Sequence, residues 1–227
     1  MQERELILDF SSMYRSCGFL SRIESSRPGV VDYRDLTALE GTSCYCDGDA
    51  MKVIDEGIAA GAASVLHWID TGDYHYVSAL FCRRVGKPYS LFLLDNHPDD
   101  QEPAFGGVLS CGSWVKYLRE NDPCLGRVVR NSREGGAFTP EDVVYISVDT
   151  DIMSREYART DWSQGDWTLS DVCGAVEGVF SSGARIAGID ICGGLSESKG
   201  ATHGDNGVNC QLFIDLENFI TNQLNKR

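Results

Sequence analysis

Asp95-Asn96-His97-Pro98-Asp99 packs three metal-ligating side chains into five residues. The segment follows the apolar run Leu91-Phe92-Leu93-Leu94, which reads as a buried strand. Strand alternation carried past the end of that run puts Asp95, His97 and Asp99 on one side. A second run, Val143 to Val148, ends in Asp149-Thr150-Asp151. Two buried strands that each deliver paired carboxylates at their C-terminal ends point to a two-metal site in an open α/β sheet. A single Asp-x-His-x-Asp segment serves equally well as a capping and hydrogen-bonding cluster, so the weight lies on the pair of segments.

The elements needed to position these residues are legible as an alternation of strand-like and helix-like segments. Strands are expected at Glu5 to Phe10, Val65 to Ile69, Tyr89 to Leu94, Arg127 to Arg130, Val143 to Val148 and Arg185 to Ile191. Met51, Ile54 and Ile58 sit at helical spacing, and Tyr76 to Arg84 and Trp114 to Arg119 read as helices. Thr168 can cap a helix carrying Val172, Ala175, Val176, Val179 and Phe180, which Gly183 stops. A last helix carries Leu212, Phe213, Leu216, Phe219, Ile220 and Leu224 on one stripe. The stretch from residue 11 to Gly48 reads as polar and turn-rich. Alternation of this kind predicts one domain over residues 1–227, a three-layer α/β/α fold with a mostly parallel sheet. Ligands in such sheets bind beyond the C-terminal strand ends, where Asp70 to His75, Asp95 to Asp99, Asp149 to Asp151 and Asp190 to Gly194 fall.

Bulk composition narrows the partners. The chain has 227 residues, 42% of them hydrophobic, and a formal net charge of -14. That length supports a substantial core, and the charge argues against nucleic acid and anionic membrane surfaces. No apolar run approaches the ~20 residues of a membrane helix. Nine cysteines in a chain that opens Met1-Gln2-Glu3-Arg4-Glu5 read as reduced, mostly buried thiols of a cytoplasmic protein. His67, inside Val65-Leu66-His67-Trp68-Ile69, reads as a satisfied core histidine.

In their order the ligand segments resemble those of the arginase–agmatinase–formiminoglutamase (ureohydrolase) family. Gly72-Asp73-Tyr74-His75 resembles that family's Gly-Gly-Asp-His with one residue inserted. Asp95 to Asp99 matches its Asp-Ala-His-x-Asp, and Ser147 to Asp151 its Ser-x-Asp-x-Asp. The resemblance implies an arginase-like fold and a metal set of His75, Asp95, His97, Asp99, Asp149 and Asp151. Asp95 and Asp149 would bridge, His75 and Asp99 would complete one ion, and His97 and Asp151 the other. Four carboxylates and two imidazoles suit two Mn²⁺, with other divalent ions able to substitute. A hydroxide bridging ions ~3.5–4 Å apart would be a nucleophile at neutral pH. The expected activity is hydrolysis of a non-peptide C–N bond in a guanidino, amidino or amide group.

The chain departs from the family where substrate and protons are handled. Val108 to Ser113 replaces a stretch that carries a proton-shuttling histidine, leaving Cys111 as a wall residue or polar substrate contact. The loop after Asp151 is unlike the family's, and its Trp162 and Gln164 either line a pocket or pack on the surface. Where arginase and agmatinase read Asp-x-x-Glu, with the glutamate meeting the guanidinium, this chain reads Asp190-Ile191-Cys192-Gly193. Ordinary free arginine is therefore not the expected substrate, and Asp190 is kept for packing or as a wall of the site. In the polar segment Ser196 to Asn206, His203 could replace the shuttle and Glu197 or Asp205 the missing anion; a solvated loop is the plainer alternative. His203 and Asp151 are the catalytic candidates, and Asp190, Cys111, Trp162 and Gln164 the substrate-binding ones. The partner is a small-molecule or peptide guanidino or amide substrate, and the resemblance allows a homo-oligomer. A degenerate member that keeps metal for a structural or sensing role, and a mononuclear zinc deacetylase-like enzyme, are the competing readings. A two-metal phosphoesterase would need an arginine cluster that the ligand segments lack.

Overall fold

The apolar runs form a seven-stranded sheet in the computed structural model, which describes residues 4–60, 64–103 and 106–226. Met1, Gln2 and Glu3 of the charged start lie outside the described residues. The strands are β1 (Glu5–Asp9), β2 (Val31–Asp35), β4 (Leu66–Trp68), β5 (Tyr89–Leu94), β7 (Leu125–Arg130), β8 (Val143–Asp149) and β9 (Arg185–Cys192). They are ordered β2-β1-β4-β9-β8-β5-β7 and every pairing is parallel. The remaining strands, β3 (Tyr45–Cys46) and β6 (Leu109–Ser110), make a small antiparallel pair.

Burial explains the assignment. Interior strand β5, between β8 and β7, is buried along its whole length, as a strand covered on both faces must be. Edge strand β2, Val-Asp-Tyr-Arg-Asp, is only half-buried, and its polar sequence hid it. The short helices α1 (Met13–Ser16) and α2 (Phe19–Ser26) were hidden as well, because left-handed Ser12 and Gly18 start them without a side-chain cap. These three elements replace the expected turn-rich stretch.

Helices cover both faces. α1, α2, α6 (Leu169–Ser181) and α7 (His203–Asn225) pack on one side around Trp68, Phe92, Ile146 and Phe213. The other side holds α3 (Gly48–Ala60), α4 (Val77–Arg83) and α5 (Trp114–Asn121), packed around Leu8, Leu91, Leu93 and Tyr145. Thr168 and Asp171 form a capping box at α6, and Thr202 and Asp205 form one at α7. Among the described residues, no helix is long and apolar enough to cross a membrane. His67 is buried between Tyr145 and Ser64 and stacks on Phe81 at 3.9 Å.

The chain builds the sheet outward from β1 and β5 and then returns to insert β8 and β9 in the middle. The C-terminal ends of β4, β9, β8 and β5 are therefore neighbours.

Candidate metal centre

Each segment is held by its own backbone device. β4 leads into the 3₁₀ turn Gly72–Tyr74, and His75 caps it with its N–H donating to Gly72 O at 3.2 Å. After β5 the chain does not continue as a strand. Asp95 N–H donates to Asn131 Oδ1 (3.0 Å) while Asn131 Nδ2 returns a bond to Asp95 O (2.8 Å). His97 N–H then donates to Asp95 Oδ1 (2.6 Å), closing an Asx turn. Asp99 adopts φ +47°, and Trp114 Nε1–H fixes its carboxylate at 2.7 Å. The three ligands converge through a turn, which corrects the expectation that strand alternation would align them. Asp149 ends β8 and accepts the Asp151 N–H at 2.9 Å.

The six expected ligands line a single narrow pocket of about 40 Å³. His75 Nδ1 lies 3.3 Å from Asp95, 3.0 Å from Asp99 and 3.5 Å from Asp149. His97 Nδ1 lies 2.7 Å from Asp151 and 3.8 Å from Asp95. Three donor groups result among the described residues, and two of them, His75–Asp95–Asp99 and Asp95–His97–Asp151, share Asp95.

The electrostatics call for cations. Burial, then the charge of Asp99, pushes the Asp95 carboxyl up to about 7. Burial, then Asp151, drives Asp149 well above the carboxylate range. Burial opposes a charged His75, yet hydrogen bonding to Asp95 and Asp99 more than offsets it and raises that group well above its ordinary value. The buried Asp95 Oδ2 has no well-aligned hydrogen bond, only the His75 ring nitrogen at 3.3 Å. On the far side of the ring, His75 Nε2 meets Ser147 Oγ at 3.0 Å, and Ser147 donates to Asp190 at 2.7 Å. Nε2 therefore carries a hydrogen, and Nδ1 faces three carboxylates. Without a cation a proton on Nδ1 holds that face together; a divalent ion in the proton's place would bind Nδ1 and the carboxylates at once, so the donor set fits divalent ions.

The other candidates separate by position. Cys111 and Trp162 line the pocket, joined by Gln101 and Gly112. Trp162 donates to Asp73 at 3.2 Å and meets the His97 ring edge-on at 5.7 Å. Gln164 turns away and donates to Met153 O and Ala158 O, holding its own loop. Asp190 is wholly buried behind Ser147, beneath the site rather than in its wall. His203 is exposed in the first turn of α7, outside the pocket lining. Asp205 caps α7 and pairs with Arg159, and Glu197 faces solvent. Instead Lys199 reaches back from this loop, to Asp73 and Asp161, both at 3.1 Å.

Gly193 shows why no glutamate stands there. Its φ is +103°, and a Cβ would lie 2.2 Å from Thr150 Oγ1 and 2.7 Å from Asp149 Oδ1. Cys192 was not foreseen near the metal set. Its sulfur belongs to a group with His75 and Asp149, but burial keeps the thiol protonated and it donates to Thr71 O. Ser147 stands in the Ser-x-Asp-x-Asp segment, whereas Asn131 and Trp114, which also orient the ligands, carry no signal in a single sequence because each acts from a neighbouring element.

No protein-family model matches the chain. An uncharacterised protein of Thermotoga maritima is 24% identical over 142 residues, a match spanning 56% of each chain. Among solved structures, a hypothetical agmatinase of Burkholderia thailandensis is similar with a TM-score of 0.63 at 14% identity, over 99% of this chain and 87% of that one. Arginase of Medicago truncatula gives 0.63 at 16% identity, over 93% and 85%. Proclavaminate amidino hydrolase of Streptomyces clavuligerus gives 0.59 at 18%, over 78% and 70%. At these identities the likeness is one of fold.

Proposed function

We propose, from an arginase–agmatinase fold whose strand ends carry six cation-seeking side chains, that this protein is a binuclear manganese-dependent hydrolase of a C–N bond in a guanidino, amidino or amide group. The observation that carries this reading is Asp95, one carboxylate common to two donor groups. His75, Asp95, Asp99 and Asp149 would hold one ion, and Asp95, His97, Asp149 and Asp151 the other. When bound, such a pair supplies an activated water able to attack a planar carbon at neutral pH. The chain's own residues shape the rest. Ser147 holds His75 in its ligating tautomer, and Trp162, Gln101 and Cys111 wall a neutral, narrow approach. Asp151, beside His97 at 2.7 Å, would be the catalytic carboxylate of the reading.

The similar structures named as arginase, agmatinase and amidino hydrolase support the guanidino or amidino class. With Gly193 unable to bear a side chain, no glutamate there meets a guanidinium, so the substrate is not free arginine held that way. A small guanidino or amide compound, or an arginine within a peptide, is the proposed substrate class. The proposal includes a cytoplasmic location, supported by nine cysteines that are all free.

Metal analysis of protein produced with added manganese tests the reading. About two equivalents are expected, lost together in Asp149→Ala, with a melting temperature that rises on Mn²⁺ addition. Release of urea or ammonia from a panel of guanidino and amide compounds would then identify the substrate. No bound metal after Mn²⁺ reconstitution would overturn the proposal. Two ions without turnover of any panel member would favour the second reading, a metal-keeping protein that has lost catalysis, which the exposed position of His203 supports.

A further inference from the structure

Two thiols meet at the rim of the pocket. The antiparallel pair β3–β6 sets Tyr45 opposite Ser110 and Cys46 opposite Leu109. Just past the end of this pair the chain turns at Cys44, at φ +59°, and Cys111 N–H donates to Cys44 O at 3.0 Å, so the two residues are neighbours. The two side chains hydrogen-bond to each other, so they already face one another. Cys111 lines the metal pocket, and Cys44 is half-buried, open to solvent.

We propose that Cys44 and Cys111 are a redox modification site, closing into a reversible disulfide across the end of β3–β6. Cys44 is the attacking member. The hydrogen bond from Cys111 favours its thiolate and, with the more distant Lys199 ammonium, outweighs the opposing burial and Asp73, whereas Cys111 is held protonated. The other close pair, Cys17 and Cys210, lacks this bias, because burial pushes Cys17 up to about 12. Burial likewise raises Cys46 to about 11.

With hydrogen peroxide as oxidant, the Cys44 sulfur attacks one oxygen and the O–O bond breaks. Cys44 sulfenic acid forms, and the leaving hydroxide takes up the thiol proton as water. The Cys111 sulfur then attacks the Cys44 sulfur, the S–O bond breaks, and a second water leaves with the Cys111 proton. Two thiols are oxidised as one peroxide is reduced to two waters. A thiol such as glutathione reverses the bond by exchange, becoming oxidised itself. The bond draws the Cys111 sulfur towards Cys44 and so alters the pocket wall. The inference is independent of which metal or substrate the site takes.

The test uses the full chain, treated with hydrogen peroxide, alkylated, digested without reduction and sequenced by fragmentation mass spectrometry. A linked Cys44–Cys111 peptide is expected, removed by glutathione and absent in Cys44→Ser. In Cys111→Ser, a dimedone adduct on Cys44 should exceed that of the unsubstituted chain, because the resolving thiol is gone. Recovery of both cysteines separately alkylated or over-oxidised would overturn the proposal, as would a Cys44–Cys46 link.

Discussion

Ser147 Oγ lies 3.0 Å from His75 Nε2 and commits the imidazole to presenting Nδ1 to the carboxylates. Because Ser147 spends its own hydrogen on Asp190, it can only accept from His75. Ser147→Ala should leave the fold intact and free the ring to change tautomer. Partners of this kind typically contribute ~10–100-fold to metal affinity. Calorimetric titration with Mn²⁺ should show a weakening of that order; unchanged affinity would mean the ring is held by packing against Trp114 alone.

Gly193 is the second point of leverage. Gly193→Ala forces a Cβ into the Thr150 hydroxyl at a backbone angle that L residues avoid. The expected cost is about 1–3 kcal/mol for the strained conformation alone. Thermal melts without metal should show the loss. A variant as stable as the parent would mean the β9 end relaxes away from Asp149.

Buried His67 sets a pH dependence. Burial lowers its pKa to about 4, below the ~6.5 of an unfolded histidine. Between those values the unfolded chain binds the extra proton, so stability is full above the unfolded value and falls as pH drops towards 4. The contribution is on the order of 3 kcal/mol. Denaturant unfolding at pH 7 and pH 5 should show a smaller difference in His67→Gln than in the parent. Equal slopes would place the pH dependence elsewhere.

Arg27 bridges Glu5 and Glu217, both buried, while Glu5 also accepts from Trp68 Nε1. Arg27→Met leaves two buried carboxylates without their cation. A loss of about 3–5 kcal/mol is expected. Adding Glu5→Gln and Glu217→Gln to that variant should recover part of it, measured as a shift in the urea midpoint; no recovery would assign the cost to lost packing of the arginine stem.

The sequence by itself determined the elements whose signal is local. Tyr89–Leu94 is apolar because both its faces are covered, and Thr168 starts α6 through a cap four residues long, so each is visible in its own stretch. The parallel three-layer fold follows from alternation of such stretches. The ligand residues were visible too, since their types and order are written in the chain. Tertiary structure alone decided what depends on partners distant in sequence. Edge strand β2 exists because β1 pairs with it, its own residues being polar. Asp99 turns inward through a positive φ with Trp114 as its anchor. His203 and Asp205 fell outside the pocket because the capping box at Thr202 turns their loop into the start of α7. His75 is oriented by a hydroxyl 72 positions away along the chain. Local free energy selects the elements, whereas the site is assembled by hydrogen bonds and charges between strand ends that only the folded sheet makes neighbours.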